Sequence, residues 1–83
     1  MEKRLIYWAK EEVHTGPTSH FNWHLMARDS LRSKKWRRVA SVYANGSWWT
    51  WDRTGGGGEN WREDTVKQAK VEAAASAIAQ GFI

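Results

Sequence analysis

The stretch SVYANGSWWTWDRTGGGGENW, residues 41–61, constrains the fold more than any other part of this 83-residue chain. It holds four of the seven tryptophans, an Asn-Gly pair between two β-forming runs, and four consecutive glycines. Asn45-Gly46 signals a hairpin, because a two-residue type I′ turn needs positive φ at both central positions. With those two residues as the loop, Val42 faces Trp49, Ala40 faces Trp51 and Arg38 faces Arg53 on one side of the ribbon. On the other side Tyr43 faces Trp48, Ser41 faces Thr50 and Val39 faces Asp52. Directly opposed residues share a face. The first set alternates small with large apolar side chains and reads as the core side. Trp49, Trp51 and Trp23 are therefore expected inside, and Trp48 outside.

The remaining elements follow from periodicity. RLIYWAK (4–10) is rich in β-formers, and EEVHTGPTS after it reads as a loop broken at Gly16-Pro17. HFNWHLMAR (20–28) alternates, with Phe21, Trp23, Leu25 and Ala27 on one face of a half-buried strand. A third strand spans 36–43 and a fourth 47–52, and a glycine-rich loop covers 53–62. DTVKQAKVEAAASAIAQ predicts a helix over 64–80, with Asp64 as N-cap, Gly81 as left-handed C-terminal cap and Phe82 folding back towards Ala77. Val66, Ala69, Ala73 and Ala77 recur at helical spacing. A methyl-lined helix lies close to a sheet whose side chains are large, so alanines and indoles are complementary halves of one layer. The expected fold is α+β: a single small domain, residues 1–83, with a four-stranded antiparallel meander and one C-terminal helix on its inner face (ββββα).

Composition supports an aromatic core. A chain this short hides only about two-thirds of the surface its unfolded form exposes. Leu, Ile, Val and Phe are sparse, so indoles at roughly 150–250 Å² each must supply much of the buried area. Trp61, just before the helix, is expected to anchor one end of that core. The absence of cysteine excludes disulfides and thiolate metal sites. No apolar run approaches a membrane span and the start lacks a secretory signal, so the expected setting is soluble and cytoplasmic.

The net charge of +4 is unevenly placed: RDSLRSKKWRR (28–38) carries six basic residues and one acidic one, and the rest of the chain is net negative by one. Arg28, Arg32, Lys34, Lys35, Arg37 and Arg38 can neutralise phosphates, and Trp36 among them can stack on an unpaired base. His24, Arg37, Tyr43 and Trp48 extend this surface on the outer sheet face. The competing readings are a solvated connection with Trp36 packed at the sheet edge, and a Tyr43–Trp48 pair that only steadies the hairpin. The glycine run lacks the Gly-Lys-Ser/Thr ending of a phosphate-binding loop and reads as a loose connection. His14, His20 and His24 lack the further ligands a metal site needs. The acidic pairs Glu11-Glu12 and Glu63-Asp64 do not converge, and no nucleophile–base motif is apparent. No catalysis, cofactor or metal is expected.

The Trp-rich hairpin, the glycine-containing loop and the helix beginning EDTVKQAKVEAAASA resemble, over residues 36–83, small uncharacterised proteins of bacteriophages and prophages. That resemblance implies a bacterial host cell and an accessory function. VKQAKVEAAASAIA is locally similar to the last helix of double-stranded RNA-binding domains, which implies phosphate contacts by Lys67 and Lys70. Against it, the chain shows no N-terminal helix, and Glu63-Asp64 puts negative charge where phosphate should sit. Two expectations follow: a non-enzymatic module that binds nucleic acid through the basic segment and exposed aromatics, or an accessory protein that binds a host protein through the same face. Either is a monomer or a weak homodimer.

Overall fold

The structure is a computed structural model that describes residues 4–51 and 57–81. Five strands form one antiparallel sheet in the order β1-β2-β3-β4-β5, followed by a single helix. The strands are β1 (Ile6–Thr15), β2 (Thr18–Ala27), β3 (Arg37–Val42), β4 (Ser47–Trp51) and β5 (Gly57–Arg62), and the helix is α1 (Val66–Ala79). The α+β meander with a C-terminal helix is as expected, with one strand more.

Two expected loops turn out to be strand. Residues 11–15 and 18–19 extend β1 and β2 into a hairpin whose register runs from Ile6↔Ala27 to Thr15↔Thr18. Gly16-Pro17 is simply its two-residue turn, with Gly16 at φ +63 and proline's ring holding the next φ negative. The tip reads as loop in the sequence because it is solvated on both faces, which removes the polar–apolar alternation. Residues 57–62 form β5, paired with β4 through Trp51↔Gly57, Trp49↔Asn60, Trp48↔Trp61 and Ser47↔Arg62. Glycine weakens strand propensity, but Gly58 is needed here: a Cβ would lie 2.6 Å from Thr50 Oγ1 and 2.7 Å from Gln80 Oε1.

The β3–β4 turn differs from expectation by one residue. Ala44, Asn45 and Gly46 form a three-residue loop closed by Tyr43 N–H to Ser47 O (2.8 Å) and Gly46 N–H to Tyr43 O (3.0 Å). Only Gly46 has positive φ, at +87, so Asn45 is not left-handed. Its side chain instead accepts the Ser47 N–H at 3.0 Å. The pairs become Val42↔Trp48, Ser41↔Trp49 and Ala40↔Thr50. A one-residue slip sends every side chain to the other face. Trp48 therefore enters the core at 7 % exposure, and Trp49 and Trp51 move to the opposite face. The expected partners of Arg38 and Val39, Arg53 and Asp52, lie outside the described residues, as does Phe82.

Helix α1 rests on β3 and β4, with Ala69, Ala73 and Ala77 fully buried against Leu25, Ala40, Val42 and Trp48. The alanine stripe is as expected, with Val66 packed at its start. Thr65, one residue past the expected cap, accepts the Gln68 N–H at 3.1 Å. Gly81 is left-handed at φ +83, as a C-terminal cap requires. A polar seam fastens the other margin: Gln80 Nε2 donates to Thr50 Oγ1 (2.6 Å) and Ser76 Oγ to Glu59 Oε1 (2.8 Å). Trp61 does not cover the core end; it shares the helix-side face with Trp48 but is 68 % exposed on the edge strand.

Gly46 also meets the start of the helix. Glu63 N–H donates to Gly46 O at 2.9 Å, and a Cβ on Gly46 would lie 2.2 Å from Glu63 O. Gly16 has the same handedness with open space around it. Gly16→Ala should cost about 1–2 kcal/mol of backbone strain. Gly46→Ala should cost clearly more, since a collision is added to the strain. Urea unfolding of the two variants side by side measures the difference, and equal losses would contradict the contact.

Candidate binding face of the sheet

The face of the sheet turned away from α1 carries the best-formed aromatic and basic array. A β-bulge builds part of it. Leu25 pairs with Ala40 but Met26 pairs with Arg38, so Val39 is an extra residue in β3. Without the bulge Arg37 would share a face with Ser41 and Tyr43, as expected from the sequence. With it, Arg38 takes that face, and its guanidinium lies 4.8 Å from the centre of the Trp51 ring. Trp51 and Trp49 approach with ring centres 3.9 Å apart and planes tilted by 43°. Trp49 Nε1–H in turn donates to Tyr43 Oη. Arg38, Trp51, Trp49 and Tyr43 thus run as one column across β3 and β4, with Arg62 and Asn60 beside it on β5. The rings are half-buried and Arg38 is exposed.

The sequence-predicted site residues divide into three groups. Arg38, Tyr43 and His24 do share the helix-free face. Trp48 does not: it is buried beneath α1, and its Nε1–H reaches Glu63 Oε2 at 3.3 Å. The turn's third residue is the reason. The basic segment 28–36 lies at the Trp51 end of the sheet, since it joins β2 to β3. Part of it is structural. Arg28 donates to Arg4 O (2.9 Å) and Ser33 O (3.2 Å), and stacks over Trp36 at 4.6 Å. Trp36 meets Tyr7 edge-on at 4.7 Å, so it packs at the sheet edge. Arg37 is on the other face and pairs with Asp29 at 2.9 Å. Arg32, Lys34 and Lys35 are exposed.

A hydrogen-bonded chain that sequence spacing does not reveal crosses this face. Glu11 Oε1 lies 2.9 Å from His24 Nε2, and His24 Nδ1 lies 2.8 Å from Ser41 Oγ. The ionised carboxylate only accepts, so Nε2 donates to it, and Nδ1 and the Ser41 hydroxyl share the second hydrogen bond. The connectivity is that of a serine nucleophile, base and orienting acid. Ser41 is only 1 % exposed in mid-strand, so a substrate carbonyl has no approach to its hydroxyl. The chain pins β1, β2 and β3 together. Only knowledge of the register could have found it, because Glu11 falls in the stretch that reads as loop. Among the described residues no three His, Asp or Glu side chains converge as a metal site. In comparisons with known proteins, no family model, curated protein or solved structure matches this chain.

The His24 hydrogen bond is the largest influence on Glu11, holding its carboxyl below the ordinary value of 4.5 against the opposing effect of burial. The charge of His24, a hydrogen bond from Asn22 and the charge of Arg38 add to the lowering. A carboxyl with a depressed folded pKa stabilises the fold fully above its unfolded value, and that contribution is lost as pH falls through the folded value. Stability should therefore drop below pH 4.5 partly through Glu11. Glu11→Gln should flatten that part of the curve while losing stability at neutral pH. Urea midpoints measured from pH 7 downwards test this, and an unchanged acid slope would contradict it.

Proposed function

We propose that this chain is a non-enzymatic module that binds single-stranded nucleic acid on the helix-free face of its sheet. The observation that carries the reading is the Arg38–Trp51–Trp49 column on the sheet face turned away from α1. Each base has a π-face, and a stack on an aromatic ring contributes about 1–3 kcal/mol without demanding a sequence. Arg38 caps one end of the column and Arg62 flanks it, both able to meet phosphates. The exposed Arg32, Lys34 and Lys35 continue the positive path beyond the Trp51 end. A single strand fits this array better than a duplex, because paired bases offer no free faces to the indoles. Lys70, which the local likeness to double-stranded RNA-binding helices would assign to phosphate, lies over Trp23 on the other face.

Fluorescence anisotropy with labelled oligonucleotides of about twelve nucleotides, within the usual span of such sites, tests the reading. Single strands should bind more tightly than duplex, and Trp51→Ala should weaken binding by roughly tenfold, corresponding to one lost stack. Arg38→Ala should lower the slope of log affinity against log salt by about one contact's worth, near 0.7. Ile78→Ala, on the helix over the opposite face, should leave affinity unchanged. No binding at low salt, or equal binding of duplex and single strand, would overturn the proposal.

A further inference from the structure

Two lysines share one indole on the opposite face. The β1–β2 register puts Trp8 and Lys10 on the helix side with Trp23 and Leu25. Lys70 of α1 places its Nζ 3.3 Å from the centre of the Trp23 ring and 5.6 Å from that of Trp8. Lys10 Nζ is 3.9 Å from the Phe21 centre and 5.2 Å from that of Trp23. Rings and cations therefore alternate as Phe21, Lys10, Trp23, Lys70 and Trp8. A ring satisfies one side of an ammonium and leaves N–H donors pointing elsewhere. Among the described residues no carboxylate lies within 4.0 Å of either ammonium. Burial first, and the like charge of Lys10 second, hold the Lys70 pKa below 10.5. An arriving anion would relieve that repulsion.

The surroundings say what kind of anion. Residues 67, 70, 71, 74 and 78 follow one flank of α1 at helical spacing. On it Lys67 is exposed, and Val71 and Ile78 are each 56 % exposed. Phe21 on the hairpin is 38 % exposed. The opposite flank is already fastened to the sheet through Ser76 and Gln80. Aliphatic Val71 and Ile78 offer neither a stack nor a hydrogen bond to a nucleotide, whereas mixed apolar and charged surface is what protein interfaces use. We propose that the surface formed by α1 and the β1–β2 hairpin docks an acidic, apolar segment of a partner protein. Its carboxylates settle on Lys10, Lys70 and Lys67, and its apolar side chains on Phe21, Val71 and Ile78.

The probe is a labelled synthetic peptide in which Glu residues are interspersed with Leu and Phe, beside a counterpart with Lys at every Glu. The acidic peptide should bind the full chain and the basic one should not. Lys10→Glu combined with Lys70→Glu should weaken binding by roughly tenfold or more. Lys67→Glu, at an exposed position, should act in the same direction and more weakly, which guards against a folding defect in the double variant. Oligonucleotide binding should be retained in both variants, since the Arg38–Trp51 column is on the other face. Equal binding of the two peptides, or indifference to both charge reversals, would overturn the inference. Loss of oligonucleotide binding on Lys10→Glu with Lys70→Glu would also overturn it, by placing nucleic acid on this surface.

Discussion

The three-residue loop that ends at Gly46, held against the backbone of Glu63, sets which face each tryptophan of β4 occupies. The Glu63 carbonyl sits where any side chain on residue 46 would be, and the Glu63 N–H closes onto the Gly46 carbonyl. Gly46 is left-handed at the last position of that three-residue loop. One added loop residue turns the whole of β4 over. Trp48 then lies under the helix, and Trp49 and Trp51 form a pair on the far side. Truncating a buried tryptophan typically costs about 3–5 kcal/mol, comparable to much of the stability of a small domain. The turn thus sets both the largest single packing element and the composition of the exposed face.

The helix can lie close only because its contact stripe is made of methyl groups. Ala69, Ala73 and Ala77 leave room for Trp48, Leu25 and Val42, which supply the volume from the sheet side. The two margins of the helix are held differently. Towards β4 and β5, Thr50, Glu59, Ser76 and Gln80 exchange hydrogen bonds across a gap that Gly58 keeps narrow. Towards β1 and β2, the contact is Lys70 over Trp23 and Trp8. A polar seam fixes distance and angle, whereas a cation over rings tolerates sliding. The β1–β2 side is consequently the margin where another molecule can enter without breaking a buried hydrogen bond.

What was legible in the sequence is what depends on a single repeated spacing. The alternation in β2 placed Leu25, Ala27 and Trp23 on the core side, and the alanine stripe gave the inner face of α1. Those patterns stay correct when a boundary shifts by a residue. Pairing between strands does not, because its parity depends on a turn length and on a bulge. Asn45-Gly46 is compatible with two loop lengths, and the choice rests on Glu63, seventeen residues on. The Val39 bulge exchanges Arg37 for Arg38 without any glycine to mark it. The β1–β2 tip and β5 were missed for the complementary reason: a strand solvated on both faces, or made of glycines, has no hydrophobic period to read.

The two faces consequently separate the chain's cations by what they can still do. In the basic segment, Arg28 and Arg37 are engaged in holding the β2–β3 connection, so charge density there overstates the available binding groups. Arg38 stands over the Trp51 ring and is exposed, because the bulge turned it onto the face away from α1. Lys10 and Lys70 stand on rings of the opposite face for a different reason, the outward extension of the long β1–β2 hairpin past the helix. Planar guanidinium beside paired indoles suits flat, stacked ligands, whereas ammonium groups among aliphatics suit carboxylates set in apolar surroundings. The two proposed ligands, a nucleic-acid strand and an acidic protein segment, would therefore occupy separate faces, since no side chain of either array belongs to both.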